Sequence, residues 1–187
     1  MVANAGFGHM VPFTKLSDEE IETLVNVNAL QVAYVIKTLA DQLIERNQKS
    51  AIVVTSSGLA AQPFAGHITY SAAKSFASYL AEGLNFEFKG KVDVLSYQAG
   101  EVATKMLNRF KEDSRTITPD RAAEACFRDL GYESMTRGSF RHDFGNWFIS
   151  SLPLSISNPL LFNISKSILK KIRARQGIQE EESKKKK

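Results

Sequence analysis

Ala51-Ile52-Val53-Val54-Thr55-Ser56-Ser57-Gly58 starts as an apolar, β-branched run and breaks into a small polar loop. A short run of this kind, without polar alternation, reads as a strand buried on both faces, which is the mark of a parallel sheet. A helix from about Thr69 to Phe88 follows it, and Val92-Asp93-Val94-Leu95-Ser96-Tyr97 reads as the next strand. Upstream, Ser17-Asp18-Glu19-Glu20 is a capping-box pattern that opens a long helix. Its apolar positions Ile21, Leu24, Val25, Val32, Val35, Ile36, Leu39 and Leu43 keep a helical period, with Asn28 as the polar exception. Met1-Val2-Ala3-Asn4-Ala5-Gly6 reads as the end of a buried strand running into a turn. Downstream, Thr118-Pro119 supplies an N-cap and a first-turn proline for a helix through Leu130. Strand, helix, strand, helix, strand, helix predicts an α/β fold on a parallel sheet. Strands Val2–Ala5, Ala51–Thr55 and Val92–Tyr97 should be adjacent in that order, with a fourth near Ser139–His142.

The chain has 187 residues, enough for one domain at about 100–200 residues each. It is 43% hydrophobic and 24% charged, as a globular protein is. The single cysteine, Cys126, cannot form an internal disulfide and reads as core filler, which fits a reducing compartment. No basic segment followed by an apolar leader opens the chain. The net charge of +4 is uneven: Lys166–Lys187 alone carries nine Lys or Arg and three Glu. Residues 144–165 carry no charge at all and include Trp147, Phe148, Leu152, Leu154, Leu160 and Phe162. Pro153 and Pro159 make a membrane-spanning helix a poor fit, so an interfacial or protein-packed segment is expected. Ile164, Ile168, Leu169 and Ile172 then oppose Lys166, Lys170, Lys171 and Arg173, the pattern of a basic amphipathic helix. The body lacks the aromatic and basic interleaving of a nucleic-acid binder, so no nucleic-acid partner is expected, and no metal.

Tyr70-Ser71-Ala72-Ala73-Lys74 sets a phenol and an ammonium four residues apart at a helix start, hence on one face. A cation beside a phenol favours the phenolate and should lower the tyrosine pKa, suiting it to proton exchange with a carbonyl or alcohol oxygen. Alone, Y-x-x-x-K is common. Here Ser57 stands 13 residues earlier, at the carboxyl end of a strand, where open α/β sheets bind ligands. Asn26-Val27-Asn28 lies on the preceding helix, and Asn4-Ala5-Gly6 ends the first strand.

This ordered set resembles the short-chain dehydrogenase/reductase family over nearly the whole chain, but only over the second part of that family's fold. The resemblance implies a catalytic tetrad at Asn28, Ser57, Tyr70 and Lys74. In it Tyr70 is the general acid/base and Ser57 holds the substrate oxygen. Lys74 binds the nicotinamide ribose and lowers the Tyr70 pKa, and Asn28 holds a relay water. It implies cofactor contacts from Asn4, Ala5, Gly6, Tyr70, Lys74, Gly100, Val102 and Thr104. Gln98-Ala99-Gly100 departs from the family by carrying Ala99 where a proline is usual, while Val102-Ala103-Thr104 keeps a cofactor-contacting pattern. Val102-Ala103-Thr104-Lys105, Ser134-Met135-Thr136-Arg137-Gly138 and Ser151-Leu152-Pro153 resemble the 17-beta-hydroxysteroid dehydrogenase and very-long-chain 3-oxoacyl-CoA reductase group. That implies a lipid-like ketone substrate, NADP over NAD, and a place on the cytosolic face of the endoplasmic reticulum membrane. Lys184–Lys187 fits a dilysine retrieval signal. A membrane surface is the partner suggested for the C-terminal segment, and a homodimer stays open.

No T-G-x-x-x-G-x-G loop occurs in these 187 residues. The family uses those glycines to bring backbone against the pyrophosphate. The fold expected is therefore a partial Rossmann-like parallel sheet, the C-terminal half of a doubly wound fold, with a C-terminal amphipathic helical extension. Residues 1–143 are expected to form the catalytic half, 144–179 a hydrophobic extension and 180–187 a charged tail. Two readings stand: a truncated membrane-associated ketone reductase, inactive as it is, or a non-catalytic interaction module derived from the family.

Overall fold

The computed structural model describes residues 1–8, 11–104, 113, 116–167 and 170. The expected charged tail at 180–187 and most of the basic amphipathic helix lie outside the described residues. Four parallel strands run side by side: β1 (Val2–Ala3), β2 (Ser50–Thr55), β3 (Val92–Tyr97) and β6 (Met135–Thr136). The first three are adjacent in the order read from the sequence. Between β3 and β6 a small parallel pair forms from β4 (Glu101–Val102) and β5 (Thr116–Ile117).

Period-two alternation in β2 and β3 sends side chains to two cores. On one face Ile52, Val54, Val92 and Val94 pack with Val32 and Ile36 of helix α2 (Gln31–Ile44) and with Ala77 and Ala81 of helix α3 (Ile68–Glu87). On the other, Val53, Leu95 and Tyr97 pack with Ala122 and Cys126 of helix α4 (Pro119–Asp129). Cys126 is thus core, and burial pushes its thiol pKa up.

Three elements differ from the sequence expectation. The long first helix is interrupted: α1 (Asp18–Val25) and α2 are joined by a π-helical turn, Asn26–Leu30. A hydrophobic stripe reports the face of a helix, not its hydrogen-bond register, so the extra residue of the turn leaves no mark in the pattern. The fourth strand lies at Met135–Thr136, and Ser139–His142 instead begins helix α5 (Phe140–Ser150). Gly138 has a φ of 71°, and its N–H donates to Thr136 Oγ1 at 3.0 Å, so the chain turns before residue 139. Finally, α5 runs across the expected boundary at 143/144, and a further helix, α6, covers residues 154–167.

Candidate active site

The carboxyl ends of β1, β2 and β3 open into loops that meet at the start of α3. The loop after β2 is joined to that after β3 by two backbone bonds, Ser56 N–H to Tyr97 O and Gly58 N–H to Ala99 O, each 2.8 Å. Ser57 is the N-cap of a short 3-10 turn, Gly58–Ala61, and its Oγ accepts from the Leu59 N–H at 3.2 Å. Its own O–H is therefore available as a donor, and it stands close enough to the Tyr70 hydroxyl to favour the phenolate.

Lys74 stands one turn further along α3, with its Nζ 6.0 Å from the centre of the Tyr70 ring. It is 3% exposed and donates to the Thr55 carbonyl at 2.8 Å. Ser56 Oγ donates to the Lys74 carbonyl at 2.7 Å, so adjacent residues of the β2 end hold both ends of this lysine. Burial pulls the Lys74 pKa down to about 8. Burial also raises the Tyr70 pKa, outweighing the lowering by the nearby Ser57 hydroxyl. The lowering expected from a neighbouring cation is thus overturned for the chain by itself: the phenol loses more solvation than its neighbours return.

Asn28 sits in the π-turn and is fully buried. Its Oδ1 accepts from the Phe7 N–H at 3.2 Å, and its Nδ2 donates to Phe7 O at 2.9 Å and Leu24 O at 3.0 Å. The side chain thus clamps the loop after β1. π-turns occur often at functional positions. Gly6 passes between two of the site residues: a Cβ there would lie 2.8 Å from Asn28 Oδ1 and 2.9 Å from Lys74 Nζ. Gly8 crosses the Tyr70 ring, and Asn4 and Ala5 are exposed in the same loop.

The structure therefore brings together Gly6, Asn28, Ser57, Tyr70 and Lys74. Gly100 lies next to the joined β2 and β3 loops, against the His142 ring of α5. Val102 and Thr104 belong to the small parallel pair: β4 pairs with β5, the Ala103 N–H donates to Ile117 O at 2.9 Å, and Thr104 Oγ1 donates to Val102 O at 3.3 Å. Three participants were not picked out from the sequence: the Thr55 carbonyl, Ser56, and His67, whose ring lies 5.2 Å from that of Tyr70. The doubled serine after an apolar strand was a usable signal for Ser56. A backbone carbonyl leaves none.

These residues fit the nicotinamide end of a dinucleotide. A glycine permits close approach at position 6, and of the three ammonium donors of Lys74 the Thr55 carbonyl takes one. They offer nothing comparable for the pyrophosphate end.

Comparison with known proteins shows the family. Residues 1–115 match the model of the short chain dehydrogenase family. The very-long-chain 3-oxoacyl-CoA reductase of Anas platyrhynchos is 31% identical over 173 residues, 90% of this chain and 55% of that protein. Human 17-beta-hydroxysteroid dehydrogenase type 3 is 28% identical over 138 residues, 72% of this chain and 44% of that protein. The 3-ketoacyl-(acyl-carrier-protein) reductase from Brucella melitensis complexed with NADH superposes with a TM-score of 0.64 at 26% identity, over 73% of this chain and 62% of that one. A short chain dehydrogenase from Burkholderia cenocepacia J2315 in complex with NADP gives a TM-score of 0.69 at 22% identity, over 80% and 65%, a likeness of fold alone. The chain spans little more than half the length of the reductases it matches. It belongs to the short chain dehydrogenase family, whose members are nicotinamide-dependent oxidoreductases.

Proposed function

We propose that the chain carries the reacting half of an NAD(P)H-dependent ketone reductase whose substrates are lipid-like, 3-oxoacyl-CoA thioesters or steroid ketones. One observation carries the reading: the Ser57 and Tyr70 hydroxyls close together, one helical turn from a buried ammonium, at the carboxyl ends of parallel strands. A bound nicotinamide supplies the hydride. Tyr70 gives its phenolic proton to the ketone oxygen as that oxygen gains charge. The phenolate left behind is met by the Ser57 O–H and by the Lys74 ammonium, both in a site with little water to screen them. Lys74 and Tyr70 would hold the ribose, with Gly6 admitting it. Asn28, through its clamp on Phe7, fixes the loop that carries Gly6. NADP is preferred to NAD on the resemblance to the reductase group. The cytosolic face of the endoplasmic reticulum belongs to the same proposal, supported by the dilysine-like end. So does a homodimer, for which Tyr34 of α2 and Phe76, Tyr79 and Phe86 of α3 supply exposed apolar surface.

The 187 residues hold no pyrophosphate loop, so the chemistry is best read with one supplied. The test fuses the chain behind the amino-terminal part of the duck reductase that it does not match, and measures NADPH oxidation with 3-oxoacyl-CoA and steroid ketones. Turnover should fall by about 10²–10⁴ in Tyr70→Phe, the usual worth of a general acid. A folded, NADPH-binding chimera whose turnover ignores Tyr70→Phe sinks the reading. A chimera that binds NADPH and turns over nothing favours the second one, a non-catalytic interaction module.

A further inference from the structure

The helix that carries Tyr70 and Lys74 starts at an unusual residue. The N-cap of α3 is His67, and its ring makes no capping bond to the helix. Ser, Thr, Asp and Asn suit that position because their short side-chain oxygens accept from the first N–H groups, and an imidazole does not replace them. The main chain alone begins this helix, with the Ser71 N–H donating to His67 O at 2.8 Å. The His67 side chain goes to Tyr70 instead, with the ring centres 5.2 Å apart and the planes inclined by 46°.

The place of that ring is fixed from two sides. Phe64 is buried, Gly66 turns the chain at a φ of 80°, and the His67 N–H closes the turn onto Phe64 O at 3.0 Å. Ser165 of α6 holds the Ala65 carbonyl of the same turn. Opposite, the loop after β1 roofs both rings: a Cβ on Gly8 would lie 3.4 Å from His67 Cε1 and 3.6 Å from Tyr70 Cδ2 and Cε2. Phe7, next to Gly8, is clamped by Asn28. Both rings are half-buried, so each keeps a part of its surface open. An imidazole carries an N–H donor in either charge state. A molecule with one oxygen on the Tyr70 hydroxyl thus has a second, pre-placed donor beside it. The two oxygens of a 1,3-dicarbonyl stand about 3–5 Å apart, and a hydrogen bond adds about 2.8–3.0 Å at each end. That length bridges two rings with centres 5.2 Å apart. An isolated ketone has no second oxygen at that spacing.

We propose that His67 is a specificity-determining residue that touches the substrate: its N–H takes the C1 carbonyl of a 3-oxoacyl thioester while Tyr70 and Ser57 take the C3 oxygen. This rests on the ketone-reductase reading and narrows it from lipid-like ketones in general to 3-oxoacyl thioesters. The hydride goes to C3 and the Tyr70 proton to the C3 oxygen. His67 gives up no proton and ends the step as it began. Its part is to settle which carbonyl faces Tyr70. With C1 tied to His67, C3 is the one presented, and rotation about the two bonds of C2 is arrested.

The probes are the N-acetylcysteamine thioesters of 3-oxohexanoic and 5-oxohexanoic acid, isomers with the same groups at different spacing. The chain has three histidines, so its imidazole Cε1–H signals in NMR are few, and the one lost in His67→Gln is that of His67. Titrating the 187-residue chain with the 3-oxo isomer should shift this signal to saturation, and the 5-oxo isomer should leave it in place. In the NADPH-binding chimera, the ratio of kcat/KM for the 3-oxo over the 5-oxo isomer should fall about five- to tenfold in His67→Phe, which keeps a ring and loses one hydrogen bond. His67→Gln keeps an N–H donor and should restore most of the ratio. A His67 signal that neither isomer moves, or that both move alike, overturns the proposal and needs no turnover to do so. An unchanged ratio in His67→Phe overturns it too, since a ring that only packs is replaced by another. A shift specific to the 3-oxo isomer, in a chimera whose turnover ignores Tyr70→Phe, upholds the His67 contact and sinks the reductase reading instead.

Discussion

Gly6→Ala tests the site geometry most directly. The new methyl would lie 2.8 Å from Asn28 Oδ1 and 2.9 Å from Lys74 Nζ, where ordinary van der Waals contact begins near 3.4 Å. Both neighbours must yield by about half an ångström, and both are held: Asn28 by Phe7 and Leu24, Lys74 by the Thr55 carbonyl. Overpacking of this kind costs about 1–3 kcal/mol, and a buried hydrogen bond stretched out of range adds about 1 kcal/mol. Gly6 is not among the glycines with positive φ, so alanine can adopt the backbone, and the less flexible unfolded chain returns about 0.4–1 kcal/mol. The net is a loss of about 2 kcal/mol, or roughly 4–8 °C in Tm for a domain of this size. Gly83→Ala is the control. Nothing lies within 4 Å of a Cβ there, and it sits inside α3, so it should stabilise by about 0.5–1 kcal/mol. Urea denaturation of the two variants reads both signs. A Gly6→Ala chain as stable as the wild type would mean that the Gly6, Asn28 and Lys74 arrangement is not the one in solution.

Lys74 has a folded pKa of about 8 against the ordinary value of 10.5. Between those pH values the unfolded chain binds a proton that the folded chain has released, so stability should rise with pH, by about 2 kcal/mol from pH 8 to 10 at 1.36 kcal/mol per unit. Lys74→Met should flatten that rise in urea titrations at stepped pH, and an unchanged slope refutes the assignment. Ser78→Ala removes the partner of both Ser96 Oγ at 2.6 Å and Gln98 Nε2 at 2.8 Å. It should cost about 1–3 kcal/mol, and a neutral result in urea denaturation would show that the buried network is not formed. Thr118→Ala removes the N-cap that accepts from the Arg121 N–H, and thermal denaturation should show a loss of about 1 kcal/mol.

The elements that could be read in advance are those whose causes are local. The box at Ser17 forms with both bonds in place, Glu20 N–H to Ser17 Oγ at 3.2 Å and Ser17 N–H to Glu20 Oε2 at 2.8 Å. Thr118 and Pro119 open α4 as their residue types require. The apolar runs of β2 and β3 pair in parallel over their full length. What escaped depends on distant partners. β6 is two residues long and exists because Met135 and Thr136 find Ser96 and Tyr97, and no alternation over two residues can announce that. β4 and β5 are fixed by each other in the same way. At the site, residue type and spacing put Ser57, Tyr70 and Lys74 together, but spacing carries no desolvation. The raised Tyr70 pKa follows from how deeply the fold buries the ring, which is a tertiary quantity.

A feature common to the site's supports explains how a half-buried hydroxyl pair is held in register. Catalytic groups need placing to about 0.5 Å, and apolar packing, though dense, tolerates sliding among hydrophobes of similar size. Here the register comes from side chains bonded to backbone. Ser56 holds the Lys74 carbonyl, Ser75 holds the Ala60 carbonyl, Asn28 holds Phe7 by both of its backbone groups, and Ser165 holds the Ala65 carbonyl. Each bond crosses from one element to the loop of another. Together they tie α3 to the β2 loop, the π-turn to the β1 loop, and α6 to the segment that leads into Tyr70. A hydroxyl or amide bound to a carbonyl has a preferred distance and direction, so each bond fixes a position where a methyl would fix only a volume. The positions of Ser57, Tyr70 and Gly6 are thereby set by the path of the main chain. This also explains why α6 buries Ser165: it is placed to fix a loop, while Leu154, Ile156, Leu160 and Phe162 of that helix face outward.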